Sequence, residues 1–171
     1  PNEAFYGTQR THTFTIAETV TPEVQFTSST PSGSEATTPA RLELEIDQTI
    51  DADVTVNYTV NVTSTATGGG VDYTLANGTA TISAGNTTTS IPVTIVNDDI
   101  DESNETIVVV LSAPTNATLG NTVTSTYSIL DNDTAGFTVS AISGNTTEAA
   151  GAATFSVVLT SEPTSLVTTT V

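Results

Sequence analysis

Apolar and polar residues alternate along most of the chain. Val24 and Phe26 lie on one side of a first short run, and Leu42, Leu44 and Ile46 on one side of the next. Val54, Val56, Tyr58, Val60 and Val62 form the longest run, and Ala80 and Ile82 a brief one. Ile91, Val93 and Ile95 come next, then Ile107, Val109 and Leu111, then Val123, Tyr127 and Ile129. A period of two puts the named side chains of each run on one face of an extended strand. The positions between them are rich in Thr, whose branched Cβ suits a pleated sheet better than a helix. No stretch carries a helical period. The pattern predicts seven strands, A to G, within residues 22–133. Short turns and this spacing predict an all-β, seven-stranded antiparallel two-sheet sandwich of Ig-like type.

The same pattern recurs at both ends. A shift of 113 residues lays the ends on the middle without a gap. His12-Thr-Phe-Thr-Ile16 then falls on Ser125-Thr-Tyr-Ser-Ile129, and Glu35-Ala36 on Glu148-Ala149. Leu42, Leu44 and Ile46 meet Phe155, Val157 and Leu159, while Val24-Gln-Phe26 meets Phe137-Thr-Val139. The expectation is a tandem repeat. Residues 1–21 would be the last strand of a preceding module, 22–133 a complete module, and 134–171 the first strands of a following one. The chain would then be a slice of a longer array.

Composition narrows the partners. Asp and Glu total 19 against two basic residues, Arg10 and Arg41, and the net charge is -17. Nothing can neutralise phosphates, so nucleic acid is excluded, and an anionic membrane surface is disfavoured. Such a balance favours cations. Cys is absent, so disulfides and thiolate chemistry are excluded. No apolar run reaches the ~20 residues that span a bilayer. The single His, His12, lies in line with Phe14 and Ile16, where a repeat strand has Ser125. It reads as a residue at the edge of a core, no Ser-His-Asp set can be assembled, and the chain is expected not to be an enzyme.

The acids are clustered. Asp98, Asp99, Asp101, Glu102 and Glu105 put five carboxylates within eight residues, between two strand runs. Held by strands at both ends, such a loop is either a solvated turn or half of a cation site. Strand parity bears on the choice. If each strand reverses direction, the loops after A, C and E and the end of G share one pole. Those segments carry Glu35, Asp72, the 98–105 loop and Asp131-Asn132-Asp133. Asp47, Asp51 and Asp53 fall at the other pole, so the segregation is a bias only. Oxygen-only ligands suit Ca²⁺, whereas Zn²⁺ would want His or Cys. Asp131-Asn-Asp133-Thr-Ala-Gly136 opens like an EF-hand loop but has Ala135 and Ile142 where ligands belong.

These residues resemble the Calx-beta module over 22–133 and into both flanks. The marks are Glu35, Asp72-Tyr73 after Gly68-Gly-Gly70, Asn97-Asp98-x-Ile100-x-Glu102-x-x-Glu105 leading into Thr-Ile-Val-Val-Val-Leu, and the closing Asp131-Asn132-Asp133. The resemblance implies a seven-strand sandwich that binds Ca²⁺ at one pole. It implies ligand roles for Glu35, Asp72, Asp98, the Ile100 carbonyl, Glu102, Glu105, Asp131 and Asp133. Asn97 and Asn132 stand where the family is more acidic. They offer an uncharged carbonyl oxygen, so fewer or weaker ions are expected. Asp99 and Asp101 are extra acids.

The functional expectation is a calcium-binding structural repeat of a secreted or cell-surface stalk, filament or adhesin, extracellular and bacterial. Its partners would be Ca²⁺ ions, neighbouring modules of the same chain, and other copies in a filament or cell-surface ligands, with no membrane insertion in this segment. The alternatives are a carbohydrate- or protein-binding module with incidental calcium and a metal-free filament subunit. Tyr73 and Tyr127 are expected in the core, and Arg41 beside a carboxylate.

Overall fold

The computed structural model describes residues 21–146, 148–149 and 151–169. The strand expected at His12–Ile16 lies outside them. Twelve strands are present among the described residues, and no helix. They are β1 Glu23–Phe26, β2 Ser32–Ser34, β3 Ala40–Ile46, β4 Val54–Val60, β5 Tyr73–Thr74, β6 Gly78–Ile82, β7 Thr88–Ile95, β8 Glu105–Thr115, β9 Thr118–Leu119, β10 Thr124–Leu130, β11 Phe137–Val139 and β12 Val157–Leu159.

Two five-stranded sheets face each other, ordered β5-β7-β3-β1-β9 and β2-β10-β8-β4-β6. Alternation decides what lies between them. Along β3, Ala40, Leu42, Leu44 and Ile46 are buried while Arg41 and Glu43 are exposed. Val24, Phe26, Ile91, Val93, Ile107 and Val109 belong to the same core, as do Tyr73 and Tyr127. Burying these side chains is the main favourable term for a chain without disulfides. The long strands reverse direction in turn. β1 runs antiparallel to β3, β3 to β7, β4 to β6 and β8, and β8 to β10.

Seven strands are expected between 22 and 133, and the sandwich has ten. The additional three, β2, β5 and β9, are two or three residues long and lie at sheet edges. They carry little apolar alternation, because an edge segment this short buries few side chains. Two of them also break the antiparallel rule: β2 pairs in parallel with β10, and β9 in parallel with β1. The run through Val62 is also corrected. β4 stops at Val60, and Val62 is 99 % exposed. Asn61 ends the strand: its side-chain oxygen accepts from the Thr63 amide at 3.0 Å, and its carbonyl accepts from the Ser64 amide. This Asx-type turn competes with the ladder for the same backbone. The longest strand is β8, which continues past Leu111 through a bulge, where Asn57 pairs with Ser112 but Thr55 pairs with Thr115. Ala113 sits in that bulge at φ 47. Arg41, expected beside a carboxylate, donates to the Ser90 hydroxyl at 2.9 Å.

Acids at the β3–β4 end serve the backbone. Asp47 accepts from the Glu23 amide and Asp53 from the Ala84 amide, each at 2.8 Å. Beyond Asp133, β11 and β12 form a separate antiparallel hairpin. It pairs Phe137 with Leu159 and Val139 with Val157, positions 113 residues after the β1–β3 pairs Val24–Ile46 and Phe26–Leu44.

Gly33 of β2 has no room for a side chain, because a Cβ there would run into the hydroxyl of buried Tyr127. Gly33→Ala should therefore cost about 1–3 kcal/mol in urea unfolding. Removing the hydroxyl as well, in Gly33→Ala with Tyr127→Phe, should recover most of that loss.

Candidate metal centre

Four segments meet at one end of the sandwich, and backbone hydrogen bonds fix them there. The Glu35 amide donates to the Leu130 carbonyl at 3.0 Å, tying the segment after β2 to the end of β10. The Val96 amide donates to the Asp72 carbonyl at 2.9 Å, tying the β4–β5 loop to the end of β7. The Asp131 amide donates to Asn104 Oδ1 at 3.0 Å, tying the exit of β10 to the β7–β8 loop. Gly69 and Gly70 adopt φ of 80° and 92°, which lets the loop before Asp72 turn back on itself. The Thr67 amide then donates to Asp72 Oδ2. Asp98 Oδ1 accepts from the Ile100 amide at 2.9 Å, so an Asx turn aims this aspartate.

The result is a cavity of about 10 Å³ lined by Glu35, Asp72, Asp98, Glu102, Glu105 and Asp131, together with Val96, Ser103 and Ile129. No basic side chain lines it. Carboxylate oxygens of Glu35, Asp98 and Asp133 all lie within 4.8 Å of one another. Oxygens that share one Ca²⁺ at 2.3–2.6 Å are at most about 5.2 Å apart, so this trio fits one ion. Glu35 is only 5 % exposed. Its Oε1 and Asp131 Oδ1 are buried without a hydrogen-bond partner. Buried oxygens without a donor are costly, and a cation is the partner that would suit both. The donor set is all oxygen, which fits Ca²⁺ better than Zn²⁺, whose sites draw on His or Cys.

The remaining expected site residues, Asn97, Ile100 and Asn132, do not line this cavity. Asn132 Oδ1 accepts from the Ser34 hydroxyl at 3.0 Å, and the Asn97 side chain donates to the Asp98 carbonyl at 3.2 Å. Ile100 borders a separate open groove with Asp101, Phe137 and Leu159. Ser103 and Asn104 went unread in the sequence: Ser103 lines the cavity and Asn104 holds the Asp131 backbone. Their position inside Glu102-x-x-Glu105 was the available signal.

A family model, the Calx-beta domain, matches residues 18–133. The chain belongs to the Calx-beta family. No curated protein matches it in sequence. Among solved structures, an apo-form Calx CBD1 domain is 18 % identical, with a TM-score of 0.59, 67 % of this chain covered and 100 % of that one. The calcium binding domain CBD12 of CALX1.1 is 20 % identical, with a TM-score of 0.59, 65 % of this chain covered and 45 % of that one. CBD12 from CALX1.2 is also 20 % identical, with a TM-score of 0.58 and coverage of 65 % and 44 %. The chain thus spans under half of either CBD12 structure. At these identities the likeness is one of fold.

In this Calx-beta module, crowding changes how the acids titrate. Burial, and then Asp131, Asp98 and Asp133, push the Glu35 carboxyl from 4.5 up to about 7. Burial, and then a hydrogen bond with Asp72, push Glu105 up to about 7. Glu102 is raised by burial and by Asp72, Asp98 and Asp131. A carboxyl raised in the folded state holds a proton there that the unfolded chain has released. Between pH 4.5 and about 7 the folded, metal-free module therefore binds more protons, and its stability falls as pH rises. Chelator-treated protein should melt several degrees higher at pH 5.5 than at pH 8, at roughly 2–4 °C per kcal/mol. Glu35→Gln should reduce that difference and leave the part due to Glu105.

Proposed function

We propose that this Calx-beta module binds Ca²⁺ at the acid-lined end and serves as a non-enzymatic structural repeat of a secreted or cell-surface protein. The observation that carries the reading is the meeting of six carboxylates from four segments around one small cavity, with two buried oxygens lacking donors. Glu35, Asp98 and Asp133 would hold one ion. Asp72, Glu102, Glu105, Asp131 and the Ile100 carbonyl would supply further oxygens. Asn97 and Asn132 add at most neutral oxygens, and that of Asn132 already accepts from Ser34. Bound there, Ca²⁺ would supply the positive charge that the side chains lack. The folded state alone offers this arrangement, so binding would stabilise it by mass action.

The place of the cavity supports a stalk or filament role. Asp131 lines the cavity, Asp133 belongs to the carboxylate trio with Glu35 and Asp98, and both begin the segment leading to β11. The Glu162 amide, beyond β12, donates to the Asp99 carbonyl of the acid loop. Holding this loop would therefore stiffen the passage to the next segment. The hairpin register shared by β1–β3 and β11–β12 supports a tandem array. End-to-end modules on the order of 40 Å long would form the rod. Millimolar Ca²⁺ outside cells, including bacterial ones, would fill sites of modest affinity.

Melting curves with chelator and with rising CaCl₂ test the reading. Ca²⁺ at one hundred times its Kd should add about 2.7 kcal/mol. Calorimetry should show Asp98→Asn and Asp133→Asn weakening Ca²⁺ binding at least tenfold, while Asp51→Asn at the opposite end leaves it unchanged. An unmoved melting temperature at 10 mM CaCl₂ would leave a metal-free filament module instead.

A further inference from the structure

The two facing sheets have four edges, formed by β5, β9, β2 and β6. Each edge offers a row of backbone N–H and C=O groups to any strand that fits it. Three edges are blunted. β5 and β9 are two residues long and β2 is three, and the part of β7 that β5 leaves uncovered contains Pro92, which has no N–H to offer. β5 also follows Asp72, and β2 runs into Glu35. β6 has none of these guards. Gly78-Thr-Ala-Thr-Ile82 is five residues long, has no proline, and pairs with β4 without a register shift. No charged residue lies between Asp72 and Asp98.

The neutrality extends over the whole outer face of that sheet. β2, β4, β6 and β10 contain no charged residue, and the one in β8 is Glu105, which turns into the acid cavity. Thr79, Thr81, Asn57 and Thr59 are exposed on this face. The other sheet carries Glu23, Arg41, Glu43 and Glu45. Among the described residues, the two facing sheets of this chain of net charge -17 thus present one unguarded strand edge, beside a face free of charge.

We propose that β6 pairs with β6 of a second copy of this chain, antiparallel about a two-fold axis, so that two five-stranded sheets become continuous. Charge selects the occupant. Two copies repel wherever acidic surface faces acidic surface, and the β6 side brings them together without opposed carboxylates. A basic partner would find its charge complement at either acidic end, not here. Thr79-Ala80-Thr81 reads the same in both directions. An antiparallel pair centred on Ala80 therefore sets Thr79 against Thr81 of the second copy on both sides of the axis, a favourable cross-strand pairing. One short strand makes a small interface, so the dimer is weak and depends on what surrounds it. Distant carboxylates still repel, and salt screens them, so association strengthens as salt rises.

Sedimentation equilibrium of the full chain, with chelator present, tests this. The expected result is a monomer–dimer equilibrium whose Kd falls roughly tenfold between 0.05 and 0.5 M NaCl. Thr81→Lys places a charge on the edge and should give monomer at both salt concentrations with an unchanged melting temperature. It lowers the overall negative charge, so loss of the dimer cannot come from a higher net charge and points to the lysines at the β6 edge itself. The rival contact is the β11–β12 hairpin, where Phe137 is 62 % exposed. A dimer that survives Thr81→Lys and disappears in Phe137→Ser overturns the proposal, as does a monomer under all conditions.

Discussion

Repulsion among carboxylates, held in place by strand ends, is the constraint on which the acid end depends. Oxygens of Glu35, Asp98 and Asp133 lie within 4.8 Å of one another. Two full charges at that separation repel by about 3.5 kcal/mol at an effective dielectric constant near 20. In open loops the segments would move apart. Here the Glu35 amide is bonded to the end of β10 and the Asp72 carbonyl to the end of β7, so they cannot. The crowding must be relieved chemically, by a proton or by a cation. The raised Glu35 and Glu105 carboxyls show the proton's answer. The two oxygens without donors indicate that the proton's answer is incomplete.

Similar residues behave differently at the other end. Asp47 and Asp53 each accept a backbone amide and close a turn, so their charge is spent on local structure. Asp98 does both: Oδ1 accepts the Ile100 amide, while the carboxylate lines the cavity. The difference lies in the neighbours each acid is given. Strand directions bring four segments together at one end, and there acids face acids. The sheet of β4, β6, β8 and β10 stays neutral between these ends apart from Glu105.

Much of this was legible in the sequence because two simple periodicities carry it. Alternation named the core: Val24, Phe26, Leu42, Leu44, Ile91 and Ile107 are all buried. Strand parity alone gathers Glu35, Asp72, the 98–105 loop and Asp131, and the same four segments line the cavity. What could not be read was set by local hydrogen bonds or by short edges. The Asn61 side chain stops β4 before Val62, although the apolar alternation runs on. β2 holds only Ser32-Gly33-Ser34, and its strand character comes from lying beside β10. Ser103 and Asn104 look like spacers between acids, and the structure uses the former as a wall and the latter as a tether.

The parallel pairing of β2 with β10 has a mechanical consequence. These two strands lie near opposite ends of the module's chain, yet they run side by side in the same direction. A stretching force applied through the neighbouring segments would pull them in opposite senses along their shared length. Their hydrogen bonds would be sheared all at once and could not open in succession like the teeth of a zip. Under such a load the Ser32–Ser34 and Ser128–Leu130 pairing would yield as one unit, so a short edge contact would act as a clamp.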